Sequence, residues 1–135
     1  MNKQQIDEKI ARAYKSIAAC GLLNEEQKLN SSYRGQIAAL GASIRQSSLL
    51  AALAFFSDQK NAAVDRAKLL DCIYYILETD EYEKERDTKK IKVNLFKKVQ
   101  NKNFNEEDIL HAVIALKLAM NLYPLQKKRE DISNE

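Results

Sequence analysis

Apolar residues recur along this chain at spacings of three and four, the period of a helix that buries one face. Ile6, Ile10, Ala13, Tyr14 and Ile17 form the first stripe and predict a helix over 4–19. Gly21 follows directly, placed to take the left-handed residue that closes many helices. Asn24 with Gln27 three positions on matches a capping box, so a second helix is expected to start there. It carries Leu29, Tyr33, Ile37, Leu40 and Ile44 on one face, and Ser31, Ser32, Gly35, Ala38, Ala39 and Ala42 on the others. Gly41 is expected to weaken its last turn. Ser47-Ser48 reads as a break with a fresh N-cap. Residues 49–56, Leu-Leu-Ala-Ala-Leu-Ala-Phe-Phe, are apolar all round, which calls for burial on most sides.

A polar connection over 57–61 leads to a fourth helix ending near Glu78, with Leu69, Leu70, Ile73, Ile76 and Leu77 as its stripe. Residues 79–88 have no apolar period and read as a charged loop. Ile91, Leu95 and Val99 predict a fifth helix over 89–100. Asn105 caps the last helix, and Glu106, Glu107 and Asp108 suit the positive end of its dipole. That helix is nearly all apolar to about residue 123, where Pro124 marks a kink or stop. No repeat of fixed period and no domain boundary interrupts the pattern. The expected fold is all-α, five to seven helices in a single domain over 1–125, followed by a charged, frayed tail over 126–135.

Composition narrows the class. The 135 residues include 3 Gly and 1 Pro, about 3% against roughly 12% in average usage. Tight turns between many short strands need those residues, so a β-sandwich or barrel is excluded, as is a glycine-rich phosphate loop. The longest apolar run is eight residues, short of the ~20 that span a bilayer. The first residues lack a signal-peptide core. Cys20 and Cys72 form no Cys-x-x-Cys pair. A cytoplasmic protein with free thiols, no membrane contact and no cofactor is expected.

Reactive groups are scarce. His111 is the single histidine, too few for a multi-histidine metal site. It lies within an apolar helix, where a partly buried structural role is expected. Ordinary packing is likewise expected for each cysteine. Carboxylates concentrate in the charged segment at 80–87, with no Asp-x-Asp or Glu-x-x-His spacing for a metal. A catalytic role is therefore not expected. An enzyme using His111 or Cys72 would be the exception.

The formal charge of +3 conceals an uneven distribution. Residues 84–102 hold 8 basic and 2 acidic groups, while 58–83 hold 3 and 7. On the fifth helix Lys90 and Lys97 project within ~20° of each other, opposite the apolar stripe and flanked by Lys89 and Lys98. Such a row is either a solvated face or a track for phosphates. Arg34 and Arg45 lie on one flank of the second helix, beside Gly35, Ala38 and Ala42. That small face admits a nucleic-acid backbone or a neighbouring protein.

The segment Tyr33-Arg34-Gly35, Ala39-Leu40, Ile44-Arg45, Leu49, Ala52-Leu53-Ala54-Phe55-Phe56-Ser57 and Lys60 resembles the small subunit of the type III-B CRISPR effector, the Cmr complex. Leu69-Leu70 with Ile73 to Leu77, and the stretch 112–122, are similar to later helices of that family. Ser47-Ser48 stands where the family has Asn-Gly, and Gly41 where it often has Pro. The small subunit of the sister type III-A complex is all-helical as well. The resemblance implies a non-catalytic part in antiviral defence. Such subunits stack as a short filament along the groove that holds the guide–target RNA duplex, touching other effector subunits. Position in the matching segment nominates Arg34, Arg45 and Lys60 for RNA phosphates, and charge alone nominates Lys89, Lys90, Lys97 and Lys98. Gly35, Ala38 and Ala42 are the expected protein contact. The alternative is a helical interaction module that binds partner proteins without touching RNA.

Overall fold

The computed structural model describes residues 3–56, 66–86 and 91–126, and among these the chain forms seven helices and no strand. They are α1 (Lys3–Ala19), α2 (Ser32–Gln46), α3 (Leu49–Phe56), α4 (Arg66–Leu77), α5 (Thr79–Glu85), α6 (Ile91–Gln100) and α7 (Glu106–Met120). The all-α expectation is borne out. Lys60, Lys89, Lys90 and the expected tail beyond residue 126 lie outside the described residues.

Local signals explain several boundaries. Gly21 closes α1 with φ +79°. Its N–H donates to the Ala18 carbonyl at 3.2 Å, and the Leu22 N–H donates to Ile17 at 3.0 Å. These are the paired bonds of a Schellman closure, and Leu22 and Ile17 are both buried beside it. At the start of α3 the Ser48 hydroxyl accepts the Ala51 N–H at 3.1 Å, as an N-cap should. At α7, Asn105 Oδ1 accepts the Asp108 N–H at 2.9 Å, and Asp108 Oδ2 accepts the Asn105 N–H at 3.1 Å. Asp108 thus takes the returning role in this capping box.

Three expectations need correction. First, α2 starts at Ser32 rather than at Asn24. Asn24 Oδ1 accepts from the N–H groups of Glu26 (2.9 Å) and Lys28 (3.0 Å), which closes a turn. Gln27 sits at φ +61°, outside the helical region that a capping box requires. Leu29 therefore leaves the helix face and bridges the C-terminal segment. Its N–H donates to Pro124 O at 2.9 Å, and its carbonyl accepts Gln126 N–H at 2.7 Å. Asn30 gives the operative signal, with Oδ1 accepting the Ser32 N–H at 2.9 Å. Second, α3 is not buried on most sides. Ala52, Leu53 and Phe56 are buried on the side that meets α2, α4 and α6, while Leu50 is 36% and Phe55 59% exposed. Third, 79–85 is a helix. Tyr82 is buried, edge-on to Tyr74 and Tyr75 at ring-centroid distances of 6.5 and 5.3 Å. One anchored aromatic holds a segment whose other residues are polar.

The core lies around α4 and α7. α7 packs against α1, α2 and α4 through Ile109, Ala112, Val113, Leu116 and Met120. α4 packs against α1, α7 and α6, burying Leu69, Leu70, Cys72, Ile73, Tyr74 and Ile76. Leu95 and Val99 seat α6. Gly41 does not end α2, which continues to Gln46. A β-carbon at Gly41 would stand 3.4 Å from Val113 Cγ1. The glycine is buried where α2 approaches α7. α7 stops at Met120 rather than near 123. Asn121 and Leu122 bond back three residues, ahead of Pro124.

Candidate functional site

The outward face of α2 is the most distinctive surface. A helix advances ~100° per residue, so Arg34 and Arg45 project within about 20° of each other. Both are exposed, and neither has an ion-pair partner among the described residues. They edge a floor made by Gly35, Ala38 and Ala42, all exposed. A β-carbon added at Gly35 would meet nothing within 4 Å. The five residues nominated from α2 thus share one face that the other described residues leave open.

Beyond that floor, toward Gln36, Ser43 and Gln46, the surface dips into an open groove of about 480 Å³. Phe55 and Phe56 of α3 line its other side, together with Arg66. The Arg66 guanidinium lies 4.9 Å from the Phe55 ring centroid and 5.4 Å from that of Phe56, within cation–π range. Arg66 escaped sequence reasoning because it reaches the two rings from the start of the next helix. No spacing rule marks such a contact. A second uncovered apolar row, Ile114, Leu118 and Leu122, runs along the end of α7. Its spacing of four was legible, but in a helix apolar nearly all round the sequence does not mark which row stays uncovered. Near that end Tyr14 and Tyr123 stack at 4.6 Å, and the Tyr123 hydroxyl donates to Tyr14 O at 2.8 Å. Burial, with Tyr14 beside it, pushes the Tyr123 phenol up to about 12.

The lysines of α6 divide. Lys97 is exposed. Lys98 folds back, with Nζ 3.3 Å from Glu78 Oε1 and 5.7 and 5.6 Å from the Tyr74 and Phe104 ring centroids. It braces α6 against the α4–α5 junction and is drawn away from any solvent-facing row. α6 packs on α3 and α4, whereas α2 packs on α7, α3 and α4. The two basic segments therefore flank α3 on different elements.

Catalytic geometry is thin among the described residues. His111 is partly buried, with Nε2 3.6 Å from Glu107 Oε1 one turn away. No group of three or more His, Cys, Asp or Glu side chains there could hold a metal. A second open pocket of about 450 Å³ mixes Arg12 and Lys15 with Glu78, Asp80 and Glu83. Arg12 is turned inward there, donating to Ile76 O at 3.3 Å. No described helix is long and apolar enough to cross a membrane.

An all-helical body with an open, arginine-edged face suits a component of a larger assembly, and comparison with known families gives its class: the chain is a CRISPR-associated protein. The family model described as CRISPR-associated protein (Cas_Cmr5) matches residues 5–122, taking in α2 and α3, and the chain belongs to that family, the small subunit of the type III-B effector. No curated protein and no solved structure matches the chain.

Proposed function

We propose that this chain is a non-catalytic scaffold, stacked beside the groove that holds the guide–target RNA duplex of a type III-B effector. In this role it serves antiviral defence in the cytoplasm. The open face of α2 carries the reading. Arg34 and Arg45 contact phosphates, and Gly35, Ala38 and Ala42 admit a backbone or a neighbouring subunit at close range. Lys97 adds charge from α6, whereas Lys98 is committed to Glu78. Contacts of this kind fix position without reading sequence. The bare sides of α3 and α7 support stacking against neighbouring subunits or other copies, because apolar rows of this kind mark protein contacts.

A second reading is favoured by the groove beside Phe55, which suits a partner side chain as well as RNA. In it the chain binds only proteins. Two variants separate the readings. Arg34→Glu with Arg45→Glu should weaken RNA binding by the assembled effector about tenfold or more at moderate salt, with the subunit still incorporated. Ala42→Leu should block incorporation. Loss of assembly in the leucine variant together with full RNA affinity in the arginine variant would support the protein-only module.

A further inference from the structure

Cys20 and Cys72 are 52 positions apart in sequence but meet where α1 packs on α4. Ser16 O marks the meeting point. It accepts the Cys20 N–H at 2.8 Å and the Cys72 thiol at 3.6 Å. Burial, with the Cys20 thiol beside it, pushes the Cys72 thiol up, and burial with Cys20 beside it does the same to the Tyr82 phenol of α5. Cys72 is fully buried, while Cys20 is 8% exposed. Cys20 lies at the end of α1, beside the exposed Gly21 whose carbonyl accepts from Lys68 Nζ at 2.9 Å.

We propose that Cys20 and Cys72 form an oxidisable dithiol, closing to a disulfide when the protein meets a hydroperoxide. The sulfur of Cys20, the one with access to solvent, attacks the peroxide O–O bond. That bond breaks, an alcohol or water leaves with the thiol proton, and Cys20 becomes a sulfenic acid. The sulfur of Cys72 then displaces the hydroxyl, which departs as water with the Cys72 proton, and the S–S bond forms. Two electrons pass from the sulfurs to the peroxide. Burial pushes the Cys72 thiol well up, so it is the slower, resolving partner. The bridge would link two helices that already pack on each other, with the Cys72 thiol one turn from Cys20 along α1. It would staple α1 to α4 and close a loop of roughly 50 residues, leaving the outward face of α2 unchanged. The expected rise in the unfolding midpoint is about 5–15 °C.

The test uses the purified chain treated with hydrogen peroxide, followed by intact mass, alkylation under denaturing conditions and peptide mapping. The expected result is loss of two hydrogens, no alkylatable thiol, a Cys20–Cys72 cross-linked peptide and a raised midpoint that dithiothreitol reverses. Cys20→Ser, at a helix end, should abolish both the cross-link and the rise. Two alkylatable thiols after treatment, a sulfinic acid at Cys20 without a cross-link, or cross-links only between chains would each overturn the proposal. Mapping the wild-type chain decides the matter even where Cys72→Ser fails to fold.

Discussion

Gly35 and Gly41 lie six positions apart in α2 and face different surroundings. Gly35 looks into open space, and Gly41 is pressed toward Val113 on α7. Gly35→Ala should therefore stabilise the protein by about 0.5–1 kcal/mol through helix propensity alone. Gly41→Leu should destabilise it by about 1–3 kcal/mol through overpacking. Denaturant midpoints at unchanged m-value would show both. The distinction was readable in part. Gly41 stands four after Ile37 and three before Ile44, on the buried stripe, so its smallness serves a helix crossing. Lys98 was not readable, because counting charges along a helix says nothing of Glu78 waiting twenty positions upstream. Titration belongs to this scale as well. Burial pushes the Cys72 thiol and the Tyr82 phenol up, with Cys20 adding to each. The folded state therefore holds protons that the unfolded chain releases first. Stability should be full at neutral pH and fall as pH rises past about 8.5 and then 10, the ordinary thiol and phenol values. Thermal midpoints compared at pH 7 and pH 10.5 would show this fall.

Among the elements, α1 and α7 were legible because their caps and stripes are local. Asn105, its acidic first turn and the run behind it need no tertiary information, and neither does Gly21. The start of α2 was misread for a chemical reason. An Asn side chain bonding N–H groups two and four residues on serves a turn as readily as a cap, and the left-handed backbone of Gln27 decides between them. α5 was invisible because its stability comes from one side chain seated on α4. Tyr82→Ala should cost about 3–5 kcal/mol. Hydrogen exchange should then rise first across 79–85, ahead of α4 and α7. Uniformly rapid exchange would mean that Tyr82 holds more than its own helix. For α3, an all-apolar sequence predicted burial on most sides, yet Leu50, Ala51, Ala54 and Phe55 stay exposed. That departure is informative, since Leu and Phe exposed side by side mark a contact surface.

For the molecule as a whole, scarcity of Gly and Pro sufficed for the fold class, and helix spacing alone put Arg34, Gly35, Ala38, Ala42 and Arg45 on one exposed face of α2. The groove with Arg66 emerged only from tertiary packing, which joins segments that no window spans, and only packing showed that the row on α7 stays uncovered. The lysine row lost Lys98 to an internal ion pair, so the arginines of α2 now carry the charge argument. A scaffold that tracks phosphates must release counterions on binding. The affinity of a reconstituted type III-B effector for its complementary target RNA, measured across a salt series, is the most direct measurement. It should be made with the wild-type subunit and with the Arg34→Glu, Arg45→Glu subunit incorporated at equal stoichiometry. Affinity about tenfold or more lower at moderate salt, with a shallower salt slope, is the predicted result. Equal affinity and equal slope in the fully assembled variant would contradict the RNA-groove role.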